Sequence, residues 1–256
     1  MYPYITVFGK QFGTYGLMMA LGFALVGVIS YFRGKTRNIS GNDLVGIAAA
    51  VLFGALFGGM LLFVFVTYPI DYIWQMMCSG DFSFFGTGIV YYGGLIAAIL
   101  CAMLVARLFK CRFFDVERTI LPLVPLGHAV GRIGCLLGGC CHGMEYEGPL
   151  AVYYPYGQTG LPTDQGYFPV QALEALLNVG ICLILLRLEK KTNRPYRLLL
   201  YYLGMYAVAR FFVEFFRGDA IRGLFLGIST SQWIAIGFGV LSVVALLLQK
   251  KKEKTA

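Results

Sequence analysis

Seven apolar runs dominate the chain, at about 14–33, 43–69, 88–109, 119–138, 170–187, 197–216 and 231–249, and charged residues gather in the gaps between them. Each run is close to the ~20 residues an α-helix needs to cross the hydrocarbon core of a bilayer. The pattern predicts an all-α integral membrane protein with seven transmembrane helices. In this reading residues 1–256 form one polytopic membrane domain, because seven spans leave little chain for a soluble one. The first run is too long, and too poor in preceding positive charge, for a cleaved signal peptide, so it is expected to remain as the first helix. The longest gap, 139–169, contains "GPLAVYYPYGQTGLPTDQGYFP". Its glycines, prolines and tyrosines predict a small external cap between helices 4 and 5, with a short hairpin.

Composition agrees with the pattern. The chain is 58% hydrophobic and 13% charged, against roughly 25% charged for soluble domains. Lysine and arginine then set the orientation. Four connections, at 33–37, 107–118, 187–197 and 250–254, carry 16 of the 21 basic residues. These are expected to be cytoplasmic, with the C-terminus inside, the N-terminus outside, and the 70–87, 139–169 and 217–230 loops external. The net charge of +8 is on this account a topology signal, and no nucleic-acid partner is expected.

Arginine at span depth is expensive and usually has a functional partner. His128, Arg132 and Cys135 are spaced i, i+4, i+7 and so share a helical face. Arg210, Glu214 and Arg217 in "ARFFVEFFRGD" have the same spacing. Two helices thus bring positive charge to the outer half of the bilayer, where the natural anion is a phospholipid phosphate. The planar guanidinium fork suits that ligand. The plainer alternative is a structural ion pair between Arg210 and Glu214, with Arg217 reaching to the interface. Arg132 has no acid within a turn, which favours the anion reading for it.

The stretch "GRIGCLLGGCCHG" (131–143) holds three cysteines and a histidine among glycines. Cys140, Cys141 and His142 are consecutive and should point in different directions, and the Cys-x-x-Cys spacing of structural zinc is absent. No metal and no cofactor are therefore expected. A disulfide remains open, with Cys78 in the external 70–87 loop as a partner. So do a thiolate activated by Arg132 or His142 and an inert polar lining. Gly134, Gly138, Gly139 and Gly143 would let a lipid head group or another backbone come close. "GGLIAAILCA" in the third span offers a small-residue packing face.

In order along the chain, "YGLMMALGF", "YYGGLIAAI", "PLGHAVGRIGCLLGGCCHG", "FPVQALEALLN", "YAVARFFVEFFRGD" and "LGISTSQW" resemble the conserved stretches of the prolipoprotein diacylglyceryl transferase family. The resemblance implies a multi-pass enzyme of the bacterial cytoplasmic membrane. Its partners would be membrane lipids, phosphatidylglycerol or another anionic phospholipid as donor, and the signal peptide of a preprolipoprotein as acceptor. It implies transfer of the diacylglyceryl group to the lipobox cysteine, with a thioether product and release of glycerol phosphate. It carries the two essential arginines onto Arg132 and Arg210, the signature glycine onto Gly143 and the first-span tyrosine onto Tyr15. It also carries a partner acid onto Glu214 and a following arginine onto Arg217, and retains Gln171 and Glu174.

Departures from the family pattern bear on the proton chemistry. The family histidine before Gly-Gly is Tyr92 here, the signature asparagine is Cys135 and the signature glutamate is Cys140. A base for the acceptor thiol would then be His142, or else His128, since tyrosine with a pKa near ~10 is a poor base. Tyr92 could still hydrogen-bond the lipid. Two other readings keep the fold: an enzyme using Cys140 or Cys135 as nucleophile on another acceptor, and a non-catalytic anionic-lipid binder. A transporter is disfavoured because acids in the middle of the spans are few.

Overall fold

The computed structural model describes the chain apart from residues 1, 8, 38, 81–87, 89, 155–160, 193, 219–223 and 256; the side chains of residues 7, 91, 92, 224, 225 and 253–255 also lie outside the description. A hairpin of β1 (Tyr4–Val7) and β2 (Lys10–Gly13) precedes α1 (Thr14–Lys35), α2 (Gly41–Thr67) and α3 (Ile70–Ser79). Next come α4 (Tyr91–Leu108), α5 (Phe113–Ile120), α6 (Val124–Gly138), α7 (Val170–Leu188) and α8 (Arg197–Val213). The two-residue strands β3 (Leu224–Phe225) and β4 (Ile228–Ser229) then lead into α9 (Thr230–Thr255). The protein is a multi-pass, all-α membrane protein.

Among the described residues, six helical segments are long and apolar enough to cross a bilayer: Thr14–Lys35, Gly41–Thr67, Phe113–Gly138, Val170–Lys191, Arg197–Phe216 and Thr230–Lys252. The expected third span corresponds to α4, whose described side chains include the apolar stretch Gly93–Leu108. The fourth span reaches back beyond the apolar run. It begins at Phe113 in α5 and passes through a 3₁₀ turn at Leu121–Leu123 before α6. The prolines Pro122 and Pro125 cannot donate to the ladder, which explains the tightened turn. The 70–87 gap is not all loop, for α3 occupies its first ten residues.

The chain folds as two compact units, Met1–Ile29 with Glu117–Ala256, and Ser30–Val116. In the first, α6 packs on α7, α7 on α8 and α8 on α9. Its buried apolar core joins Ile181 and Leu185 of α7 to Leu198 and Tyr202 of α8, with Leu121 and Val124 packed against them. The first turn of α8 is fixed from another helix. The buried Glu117 carboxylate on α5 accepts the N–H groups of Tyr196 (2.8 Å) and Leu199 (2.9 Å). That satisfies donors a helix N-terminus otherwise leaves unpaired. α9 turns Val240, Leu241, Val243, Val244, Leu247 and Leu248 outward, as a helix bathed in lipid should.

In the second unit α2 and α4 pack backbone to backbone. A Cβ added to Gly58 would stand 2.6 Å from the carbonyl oxygen of Gly93, and one added to Gly54 would stand 2.7 Å from that of Ala97. Small residues are what allow helices to approach this closely in a membrane, and the "GGLIAAILCA" stretch is one side of the contact. Gly58→Val should therefore cost more than the ~1–3 kcal/mol of ordinary overpacking, because the obstacle is backbone. The expected result is a clearly lowered unfolding temperature in detergent, whereas Gly237→Ala, where an added Cβ meets nothing within 4 Å, should leave it unchanged.

Candidate functional site

The site lies in the first unit, where α6, α7, α8 and the start of α9 meet. Its centre is Glu174 on α7, only 3% exposed. Arg132 from α6 approaches through Nη2, 3.0 Å from Oε1. His128, one turn earlier on the same face, places Nε2 3.8 Å from that oxygen. Arg210 from α8 sets Nη1 4.0 Å from Oε2. Arg210 also pairs with Glu214, Nη2 to Oε2, at 2.8 Å. Arg132 and Arg210 thus face one carboxylate from two helices.

The chain of polar contacts continues beyond Glu214. Ser229 Oγ donates to Glu214 Oε1 (2.9 Å) and accepts the backbone N–H of Gln232 (3.2 Å). Gln232 Oε1 in return accepts the N–H of Ser229 (3.0 Å). This reciprocal pair is a capping box at the N-terminus of α9. Ser231 adds a longer contact to Arg210 Nη2 at 3.4 Å. Sequence reasoning passed over Ser229 and Gln232. Their signal was the Ser-x-x-Gln spacing in "STSQ" immediately before an apolar run.

These contacts revise the electrostatic argument. Arg132 is not uncompensated, because its acid comes from another helix rather than from its own turn. Formally, two arginines stand with two carboxylates, Glu174 and Glu214. Donors are nevertheless left over: among the described residues Arg132 Nε and Arg210 Nη1 are buried and make no hydrogen bond. Buried donors of this kind are costly unless something pairs with them. Arg217 also differs from expectation. α8 ends at Val213, a 3₁₀ turn covers Glu214–Phe216, and Arg217 is extended at φ −84°, ψ 140°. It therefore does not continue the helical face of Arg210 and Glu214. Instead its backbone bridges to Gly143.

That bridge belongs to a stitched layer over the end of α6. Met144 N–H bonds Phe216 O (2.9 Å), Phe168 N–H bonds Met144 O (2.9 Å), and Gly218 N–H bonds His142 O (3.2 Å). A Cβ on Gly143 would stand 3.0 Å from the carbonyl carbon of Phe168, so this glycine serves close backbone approach. Gln171 is fully buried, and its Nε2 donates to Cys140 O (2.9 Å) and to Tyr154 Oη (3.1 Å). Its side-chain amide thus ties the 139–169 segment to α7. Tyr154, a second residue the sequence did not single out, completes that tie.

His142 accepts no proton from Gly143. The carbonyl oxygen 2.9 Å from Nδ1 can only accept, so Nδ1 carries the hydrogen and the neutral ring keeps its basic lone pair on Nε2. The ring edge rests on Tyr167 at 5.1 Å. His128 is held between Glu174 and the Tyr206 ring, 5.5 Å away. Tyr15, at the start of α1, lies against the end of α6, its Cβ 3.8 Å from the position of a Cβ on Gly138. Tyr92 opens α4 in the second unit, and its side chain is outside the described residues.

The cysteines do not point apart. Gly139 takes a left-handed conformation (φ 75°) as Cys140 N–H bonds back to Cys135 O (3.1 Å), and Cys141 is itself left-handed at φ 56°. Two reversals fold the chain so that the sulfurs of Cys135, Cys140 and Cys141 lie within 4.8 Å of one another. All seven cysteines are free thiols, with Cys78 exposed in the second unit, so the structure contains no disulfide from Cys78 to the cluster. Hydrogen bonds from Cys135 and Cys140 hold the Cys141 thiol below the ordinary range, and the Arg132 and Arg217 charges act in the same direction.

Fold and site together define a polytopic membrane protein with paired arginines and carboxylates buried among its helices. The profile of one family, prolipoprotein diacylglyceryl transferase, matches residues 3–248. The chain is 27% identical over 251 residues to phosphatidylglycerol--prolipoprotein diacylglyceryl transferase 2 of Clostridium perfringens, covering 97% of this chain and 95% of the relative. It is 29% identical over 230 residues to the phosphatidylglycerol--prolipoprotein diacylglyceryl transferase of Clostridium tetani (90% of each). It is 31% identical over 227 residues to that of Bordetella bronchiseptica (87% and 85%). The chain belongs to the prolipoprotein diacylglyceryl transferase family, a family of bacterial membrane enzymes.

Glu174→Gln should strand the buried Arg132 guanidinium, while Arg210 keeps Glu214. Removing one partner of a buried ion pair costs ~3–5 kcal/mol, so a large fall in unfolding temperature in detergent is expected. Gln232→Ala, which removes the cap and the bond from its Nε2 to Phe211 O (3.3 Å), should cost ~1–2 kcal/mol.

Proposed function

We propose that the protein transfers the diacylglyceryl group of phosphatidylglycerol to the lipobox cysteine of a preprolipoprotein. The acceptor sulfur attacks the glyceryl carbon bearing the phosphate ester, that carbon–oxygen bond breaks, and glycerol phosphate leaves with the electron pair. The single observation that carries this reading is the convergence of Arg132 and Arg210 on Glu174, with Arg132 Nε and Arg210 Nη1 buried and unspent. Those donors suit phosphate oxygens, and preorganised cations in a water-poor site stabilise charge that grows on a leaving group.

Glu174 and Glu214 hold the arginines before lipid arrives and balance their charge. Arg217, Tyr15 and Gly143 belong to the substrate-binding region in this proposal, with Gln171 bracing the segment above it. The acceptor thiol has to lose a proton, and the Nε2 lone pair of His142 supports it as the base, with His128 second. The site opens toward the external face of the bacterial cytoplasmic membrane, with the C-terminus inside, in keeping with the lysine and arginine distribution.

The test is a lipobox peptide incubated with purified protein and phosphatidylglycerol. Mass addition on the peptide cysteine with release of glycerol phosphate is expected. Lipid-derived mass on Cys135 or Cys140 instead would replace the proposal with a covalent enzyme mechanism. Arg132→Lys should lower the rate roughly a hundredfold, the scale for losing one aimed donor, because lysine cannot make the planar two-point contact. Arg210→Ala should lower it at least as far and reduce stability as well, since Glu214 loses its ion pair with Arg210. Full phosphatidylglycerol-dependent activity in either variant overturns the assignment.

A further inference from the structure

The three thiols at the end of α6 are placed by backbone geometry that the lipid site does not require. Their sulfurs lie within 4.8 Å of one another. Sulfurs on a tetrahedral zinc ion, with Zn–S of about 2.3 Å, stand about 3.8 Å apart. Closing the cluster onto an ion therefore needs side-chain shifts of about an ångström and no rearrangement of the chain. The left-handed Cys141 is held from both sides, by the Cys140 N–H bond to Cys135 O and by the Gly218 N–H bond to His142 O. Such conformations are sparse for residues other than glycine and mark positions that the surroundings dictate.

We infer that Cys135, Cys140 and Cys141 form a three-thiolate site for a soft or borderline d¹⁰ cation of the zinc class. Thiolate donors select such ions over magnesium or calcium. Binding forms three metal–sulfur bonds and releases the three S–H protons to solvent. Three thiolates and one divalent ion leave a net charge of −1. Three protein ligands leave a fourth tetrahedral position, as catalytic rather than structural zinc sites do. Cys140, the exposed member of the three, puts that position within reach of solvent or of an incoming ligand. The inference is independent of the transferase proposal.

The experiment uses the full chain in detergent, reduced and freed of metal, titrated with Cd²⁺ as the probe. One equivalent should bind with thiolate-to-metal charge-transfer absorption, and Zn²⁺ should displace it competitively. Counting maleimide adducts on the native protein by mass spectrometry should show Cys135, Cys140 and Cys141 protected by metal and released by a chelator. Each single Cys→Ser change among the three should weaken binding at least tenfold, since loss of even an outer-shell partner costs ~10–100-fold. Cys182→Ser, on the buried side of α7, should leave binding unchanged. The single variants keep the test decisive should the triple variant fail to fold. Three results would overturn the inference: no charge-transfer band in the reduced protein, a band retained when any two of the three are serine, or protection mapped to Cys78, Cys101 or Cys111.

Discussion

Charge buried among apolar helices must be matched where it stands, and most of the first unit follows from how Glu174 meets that demand. A carboxylate on α7 holds Arg132 of α6 at 3.0 Å and faces Arg210 of α8 at 4.0 Å. Arg210 in turn binds Glu214, and Glu214 accepts from Ser229 at the cap of α9. Four helices are thereby registered by one run of polar contacts. In a medium of low dielectric each link is strong and each broken link expensive. The apolar core of Ile181, Leu185, Leu198 and Tyr202 supplies packing between α7 and α8, but apolar packing alone distinguishes poorly between helix rotations when lipid is equally apolar.

A site that is neutral overall yet retains buried, unspent donors is suited to an anion that arrives with its own apolar chains. Carboxylates hold both arginines, so in the proposed reaction the guanidinium planes are set before a phosphate enters. Preorganisation of that kind lowers the cost of ordering at the moment of reaction. The 139–169 segment is tied to this centre by Gln171 and by the backbone bonds of Met144, Phe168 and Gly218. It therefore acts as a fitted layer over the end of α6. Where that layer meets the end of α6, Cys135 of the helix and Cys140 and Cys141 of the segment bring three thiols together.

Much of this was legible in the residues themselves. Runs of about twenty apolar residues impose membrane helices, because backbone polar groups in lipid can be satisfied only internally. The 3.6-residue period placed His128 and Arg132 on one face and paired Arg210 with Glu214. Where local period sufficed, expectation and structure agree. Where the helix stopped, they part: Arg217 left the shared face because a 3₁₀ turn intervenes at Glu214–Phe216.

What the tertiary structure alone decided is which groups from different helices meet. Glu174 lies 42 positions from Arg132 and 36 from Arg210 along the chain, and no spacing rule links them; only the packing of α6, α7 and α8 does. The same holds on a smaller scale for Cys135, Cys140 and Cys141. Consecutive residues point apart in regular structure, and it took two left-handed residues, Gly139 and Cys141, to turn their sulfurs together. Periodicity along a chain determines which face a side chain occupies, because backbone geometry repeats. Contacts between faces depend on the helix packing and chain reversals of the folded whole.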